Sequence, residues 1–468
     1  MTPVSDDPLA LATAVELCAS YRDGRLSPPE VLDAVLERID RLEPHLHALY
    51  APDPDRARRE AEEAGRRWAE HRPAGPLDGV PVTVKDNVAV AGVPTPVGSA
   101  ATPLRPAVED APPAARLRES GAVLLAKTTM PDLGMLTSGL SSYHPLTRNP
   151  WDPRRTPGGS SAGAAAAAAA GYGPVHLGTD IGGSIRLPAG WCGLVGFKPS
   201  FGRVPIDPAF LGRAAGPLTR TVDDAALAMS VLTRPDRRDH LALPPQELDW
   251  SVAPRPDLAG LRVGLLLDAG VGLPVEPDVA EAVSRAAELF AAHGATVEPI
   301  AGYLTRAMLD GLDDFWRTRA RADLDRLEPD RRAAALPYIV AWADRAARLD
   351  AAAVYHGFSQ IDAISLATQR ATEPYDAVLS PTCPVGPPDA EAPSPTGDPD
   401  RPLEHIAFTL PFNMSGQPAI SVNCGYDRDG LPIGLQISGR RFADLDVLSL
   451  AAFYEAHRPE QRPWPTGR

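Results

Sequence analysis

Apolar positions near the N-terminus recur at helical spacing. Val31, Leu32, Val35, Ile39 and Leu42 share one face, the stripe of a helix that buries one side. Ser27 is placed to cap this helix, Pro28 suits its first turn, and Glu30 completes a capping box. A charged, alanine-rich helix is predicted over 56–71. From Leu77 the pattern changes to short apolar runs bounded by glycine and proline, the mark of buried strands. Strands are predicted over 79–85, ending in Lys85, and over 121–127, the second after a helix over 111–120. A glycine- and serine-rich region over 137–202 holds an alanine helix at 163–170 and a short strand at 175–177. Strands at 261–268 and 295–300 flank a helix at 279–293, a βαβ pattern that implies a mixed sheet with crossover helices. Residues 304–369 read as largely helical, and strands return at 377–379, 419–423 and 433–437. Residues 234–258, rich in Pro, Asp and Arg, are predicted to form a linker or surface excursion. No internal repeat is present.

Composition narrows the class. The chain has 468 residues, 44% of them hydrophobic and 23% charged, an ordinary balance for a globular protein with a sizeable core. The 52 prolines are spread along the chain and punctuate loops. A formal charge of −14 argues against nucleic acid and against anionic membranes, and serves solubility. Cys18, Cys192, Cys383 and Cys424 are far apart and form no CxxC pair, which argues against a disulfide framework or a structural zinc site. Residues 1–9 are acidic and lack the pattern of a secretory signal. No stretch reaches the roughly 18 apolar residues that span a bilayer. These features predict a cytoplasmic location. No HExxH and no G-x-x-x-x-G-K-[ST] motif occurs, so neither a metal nor a cofactor is expected.

Three polar segments carry candidate chemistry. Lys85 ends an apolar run, Gly79-Val-Pro-Val-Thr-Val-Lys85. If it emerges into a partly buried setting, desolvation lowers its pKa and makes the amine a base; otherwise it is a surface lysine paired with Asp86. Thr156-Pro-Gly-Gly-Ser160-Ser161-Ala-Gly163 precedes the alanine helix. It is either a hydroxyl-presenting loop or a plain serine cap. Gly178-Thr179-Asp180-Ile181-Gly182-Gly183-Ser184-Ile185-Arg186 runs from a strand into a Gly-Gly turn. Such a turn sets several backbone N–H groups beside one hydroxyl, as an oxyanion hole requires, or is simply a tight turn.

Together these segments resemble the amidase signature family. Pro157-Gly-Gly-Ser-Ser-Ala-Gly163 and Gly178-Thr-Asp-Ile-Gly-Gly-Ser-Ile-Arg186 are similar to its two core motifs. Cys192-Gly-Leu-Val-Gly-Phe-Lys-Pro199, Asn149-Pro-Trp-Asp152 and Pro432-Ile-Gly-Leu-Gln436 also fit, and the likeness spans roughly residues 10 to 460. One departure is Ala162, where the family has glycine. The resemblance implies an α/β fold: a single large domain over 1–468, with a mixed β-sheet core flanked by helices. Within it, N-terminal helices occupy 1–75, a catalytic core 76–230, and a helical substrate-side region 304–375. It implies a small-molecule amide as substrate and an acyl-enzyme on Ser184, with Lys85 as base and Ser160 as the bridging serine after a cis peptide bond. The N–H groups of Ile181, Gly182, Gly183 and Ser184 would form the oxyanion hole. Ser161, Thr179, Asp180 and Arg186 would support the relay and loop; for Asp180 and Arg186, a structural ion pair and a substrate contact are both open. Thr137, Ser138 and Gly139 either line the acyl pocket or form an ordinary connection. Specificity is expected from 304–369, with Phe315, Trp316 and Tyr338, and from the loop 383–403.

Three rival readings remain. Gly159-Ser160-Ser161-Ala162-Gly163 also fits a G-x-S-x-G elbow with Ser161 as nucleophile, served by a histidine such as His176 or His356. The residues before it hold too many prolines for the central strand an elbow needs. The same family includes the A-subunit of transfer-RNA-dependent amidotransferases, which works with partner subunits. The stretch Pro411-Phe-Asn-Met-Ser-Gly-Gln417 looks more like stand-alone amidases. An inactive scaffold is the third reading, against which all three triad positions are filled. The N-terminal helices offer a surface for a homodimer.

Overall fold

Eleven strands form one mixed sheet, and the order in which they lie explains how distant residues meet. The computed structural model describes residues 9–465. The strands are β1 (Leu49–Tyr50), β2 (Pro81–Lys85), β3 (Val123–Thr128), β4 (Val175–Asp180), β5 (Val195–Lys198), β6 (Ala214–Thr219), β7 (Arg262–Leu265), β8 (Thr296–Pro299), β9 (Ala377–Pro381), β10 (Ala419–Tyr426) and β11 (Pro432–Gly439). Their order is β1-β3-β2-β4-β6-β5-β10-β11-β9-β7-β8. β2 runs parallel to β3 on one side and to β4 on the other, with Val84 opposite Leu177. The carboxyl ends of β2 and β4 therefore lie side by side, the usual position of a site in sheets with crossover helices.

β2 and β3 are buried along their whole length, which is why they read as apolar runs without alternation. β5 and β6 were not evident in the sequence. They are short and interrupted by Gly196, Gly216 and Pro217, so neither alternation nor a long apolar run marks them. The helices Val222–Leu232 and Asp444–His457 also carried no distinct signal, being buried on most sides.

The predicted helix after Ser27 spans Pro28–Leu46. Glu30 accepts from the Ser27 N–H at 2.8 Å, and Val31, Leu32, Val35, Ile39 and Leu42 are all buried. The alanine helix spans Ala162–Ala170 and lies against the sheet with every residue buried. Alanine suits this place twice: it has the highest helix propensity, and its methyl lets the helix approach the strands. Ala162 is accommodated as the first residue of that helix, fully buried. No helix or strand occurs between Leu232 and Arg262, yet Trp250 and Leu258 of this excursion are buried. The helices Arg306–Leu324 and Pro337–Asp344 supply Trp316, Arg319 and Tyr338 to the cavity walls, and Ala351–Thr372 packs against the first of them. No helix among the described residues is long and apolar enough to cross a membrane.

Candidate active site

Lys85 closes β2 and is fully buried. Asp86 does not pair with it. The Asp86 carboxylate accepts from the N–H groups of Val97 and Gly98 at 3.2 and 2.7 Å and lies 2.9 Å from His144 Nε2. The amine turns instead to hydroxyls. Lys85 Nζ lies 2.9 Å from Ser160 Oγ and 3.1 Å from Thr179 Oγ1, with the Thr179 carbonyl at 3.5 Å. Asn87 Nδ2 donates to Thr179 Oγ1 at 3.0 Å and holds that hydroxyl in place. Burial is the main force on this amine, and the charge of Arg213 the next. Against the weaker pull of Asp180 and Asp86, they hold its pKa well below the ordinary lysine value. The uncharged amine is thereby favoured far more than in an exposed lysine.

Ser160 ends a loop that Asn149 braces. Asn149 Nδ2 donates to the carbonyls of Thr156 and Trp191 at 3.2 and 3.1 Å. The Gly159–Ser160 peptide bond is cis. Gly159 lies so close to Ser138 that an added Cβ would meet its backbone N at 2.6 Å. Ser161 is the N-cap of the alanine helix. Its N–H donates to the Ser184 carbonyl at 3.2 Å, and its hydroxyl donates to the Thr179 carbonyl at 3.3 Å. It is fully buried. This overturns the elbow reading: Ser161 reaches no solvent and no imidazole. His176 is buried against Thr83 Oγ1 at 2.8 Å and the Gly173 carbonyl at 3.0 Å, while His356 lies on an exposed helix face.

Ser184 follows the Gly-Gly turn and is half-buried. It shares a cavity of about 600 Å³ with Ser160 and Thr179. No hydrogen bond joins the Ser160 and Ser184 hydroxyls among the described contacts. Asp180 shapes the turn. Its carboxylate accepts from the N–H groups of Gly183 at 2.8 Å and Ile185 at 3.1 Å, and from Arg186 Nε at 3.0 Å and Nη2 at 2.9 Å. The Gly183 N–H is thus already donated to Asp180. The N–H groups of Ile181, Gly182 and Ser184 have no acceptor among the described residues. Burial alone would raise the Asp180 carboxyl, but the Arg186 guanidinium outweighs it and holds the carboxyl well below the usual range. Asp180 and Arg186 thus form a fully buried ion pair.

Residues far along the chain complete this turn. Arg186 Nη1 donates to Gln436 Oε1 at 2.7 Å and to the Thr409 carbonyl at 2.9 Å, and Asn413 Nδ2 donates to Asp180 Oδ1 at 2.9 Å. Thr409 Oγ1 donates to the Gly182 carbonyl at 2.6 Å. The C-terminal segments noted in the sequence thus hold the turn that carries Ser184. The individual roles of Asn413 and Gln436 were not legible there.

A second, smaller lobe of about 50 Å³ opens on the other side of Ser184, with Trp316, Tyr338, Leu403 and Ile406 among its walls. Thr137 reaches it, with its hydroxyl 2.6 Å from His405 Nε2. Burial pushes the His405 imidazole down to about 3, so it stays neutral. Ser138 and Gly139 do not line either lobe. The Ser138 hydroxyl accepts from the Leu140 N–H at 3.0 Å, and a Cβ at Gly139 would meet the Thr147 carbonyl at 2.2 Å. Phe315 packs edge-on against Phe358, at 5.2 Å between centroids, and stands outside the lobes. Arg213 and Arg319, which line the wide lobe, were missed; isolated arginines carry no pattern in a sequence. All four cysteines are buried and free. Among the described residues no three His, Cys, Asp or Glu side chains gather as a metal-binding group.

The family model for amidases matches residues 30–448. The chain belongs to the amidase family. It is accordingly a hydrolase acting on amide bonds. An acylamidase of Rhodococcus erythropolis is 34% identical over 460 residues, covering 96% of this chain and 95% of that one. The glutamyl-tRNA(Gln) amidotransferase A-subunit of Symbiobacterium thermophilum is also 34% identical, covering 95% and 96%. The crystal structure of a bacterial aryl acylamidase of the amidase signature family superposes with a TM-score of 0.87, at 31% identity, over 96% of this chain and 97% of that one.

Proposed function

We propose that this chain hydrolyses a carboxylic amide through an acyl-enzyme on Ser184, with Lys85 as base and Ser160 as relay. The observation that carries this reading is the fully buried Lys85 amine, 2.9 Å from the Ser160 hydroxyl. A neutral amine has two N–H donors and one lone pair. With its donors spent on the Thr179 hydroxyl and carbonyl, the lone pair is left for the Ser160 proton. Rotation of the Ser184 side chain toward Ser160 closes the relay.

In the first step the Ser184 oxygen bonds to the amide carbon, its proton passes to Ser160, and the Ser160 proton passes to Lys85. The oxyanion is held by the N–H groups of Ile181, Gly182 and Ser184, each such donor being worth about 3 kcal/mol of barrier. The C–N bond breaks as the Lys85 proton returns through Ser160 to the leaving amine. Water then attacks the ester by the same route, releasing the acid and restoring Ser184. Asp180 and Arg186 fix the turn.

A fluorophosphonate probe tests the nucleophile. Wild-type protein is expected to be labelled on Ser184 and the Ser184→Ala variant to stay unlabelled; undiminished labelling of another serine would refute the assignment. The likeness to an amidotransferase component supports a second reading, in which the chain works within an assembly. Purified alone and given simple amides, the chain is expected to release ammonia or amine with a carboxylic acid; acid formation only with added partner subunits would favour the second reading.

A further inference from the structure

The wide lobe beside Ser184 contains two arginines whose nearby opposite charges are the exposed Asp207 and Asp323. Arg213 lies just before β6, and Arg319 lies on the helix Arg306–Leu324. Both are half-buried. Neither forms an ion pair among the described residues. Arg213 makes one long hydrogen bond, from Nη1 to the Pro208 carbonyl at 3.4 Å. Arg319 stands over the Phe210 ring, 4.4 Å from its centroid, and approaches Met135 Sδ at 3.8 Å. Guanidinium groups taken out of water ordinarily find a carboxylate. Here burial first and the neighbouring Arg319 second press the Arg213 pKa down to about 10. Two like charges facing one cavity are a destabilising arrangement that a bound anion relieves.

We propose that the wide lobe receives a carboxylate carried by the amide substrate, clamped between Arg213 and Arg319. This rests on the acyl-enzyme reading of Ser184 for the reaction, though not for the binding. The cavity's charges favour a monoanion. Arg105, Arg213 and Arg319 line it with Asp207 and Asp323, while Asp180 is already paired with Arg186. Three positive groups against two negative leave one positive. The two aspartates are exposed, at the solvent end, and Asp323 already lies 3.6 Å from Arg326. A dianion such as a phosphate monoester would meet those rim carboxylates. The planar forks of the two arginines match a carboxylate's two oxygens. Val97, Leu133, Met135 and Phe210 supply apolar wall for the body that carries it. The class of substrate is thus an amide bearing one carboxylate away from the scissile bond.

The test compares matched amides: 4-acetamidobenzoate against 4-acetamidotoluene, and succinamate against butanamide. Wild type is expected to favour the carboxylated member in kcat/KM. Arg319→Gln and Arg213→Gln should each remove about 10- to 100-fold of that preference, mainly through KM, as loss of a hydrogen bond to a charged group does. Arg319→Lys should restore part of it. Binding is measured separately by calorimetry on Ser184→Ala, where the carboxylated member should bind more tightly and the gap should narrow with salt. Circular dichroism confirms that each variant is folded. Equal turnover and equal binding of the pair, or a preference untouched by both arginine variants, would overturn the proposal and leave the acyl-enzyme reading standing. Arginine-dependent binding of the carboxylate without any turnover or Ser184 labelling would do the reverse. Tighter binding of the phosphonate counterpart than of the carboxylate would also overturn it.

Discussion

Lys85 shows how packing, rather than residue type, sets chemistry. An exposed lysine is a cation at neutral pH. This one is enclosed, without a carboxylate in contact, and set near Arg213, and its pKa falls well below the ordinary lysine value. Lys85→Met is expected to abolish amide turnover while leaving the thermal midpoint unchanged or higher, because a buried amine without a counter-ion stabilises nothing. Retained turnover in that variant would remove Lys85 from the mechanism. Arg213 acts on the same proton from outside the relay. Its charge lowers the Lys85 pKa, and the base works only when unprotonated. Arg213→Gln is therefore expected to shift the acid limb of the kcat/KM profile for a neutral amide to higher pH. A limb that stays in place would show that Arg213 does not tune the base. The sequence made Lys85, Ser160 and Ser184 legible because they sit in motifs. Arg213 and Arg319 stand in none.

At the scale of elements, the alanine helix positions both serines of the central motif. Its first turn lies so close to neighbouring backbone that glycine is required at one point. A Cβ on Gly163 would meet the Ala48 carbonyl at 2.2 Å and the Thr129 N at 2.4 Å. Neither is a movable side-chain end, so the helix must shift and take Ser160 with it. Gly163→Ala is expected to cost about 1–3 kcal/mol by overpacking, read as a lower urea midpoint, and to slow fluorophosphonate labelling of Ser184. Normal midpoint and labelling would show that the helix has slack. Most strands and helices were legible as apolar runs or helical stripes. β5 and β6 were not, because a strand covered on both faces and broken by glycine and proline has no period to read.

Over the whole molecule, Arg186 ties the Ser184 turn to the C-terminal half of the sheet. Its partners lie 6, 223, 227 and 250 residues away. Arg186→Met leaves the Asp180 carboxylate buried without its counter-charge, which is expected to cost about 3–5 kcal/mol. The pH dependence should change sign at this group. In wild type the Asp180 carboxyl is held below its unfolded value, so its contribution is in place above about pH 4 and fades only in strong acid. Without the guanidinium, burial raises that carboxyl above its unfolded value. The variant's deficit should then shrink as pH is lowered from 7 to 5. A constant deficit in urea midpoint across that range would contradict this account.

The sequence by itself determined which groups are available: a lysine at a strand end, two serine-bearing glycine loops, and the helical and strand periods that build the layers around them. These are local properties, set by residue type and spacing. Only the tertiary structure decided what those groups do. Lys85 and Ser160 stand 75 residues apart in the chain and meet because the alanine helix that follows Ser160 packs against β2 and β4. The lowered pKa of the lysine, the bond from the Gly183 N–H to Asp180, and the gathering of two arginines in one cavity all depend on who is packed against whom. Desolvation and charge coupling are sums over neighbours in space, and a chain's order does not display them.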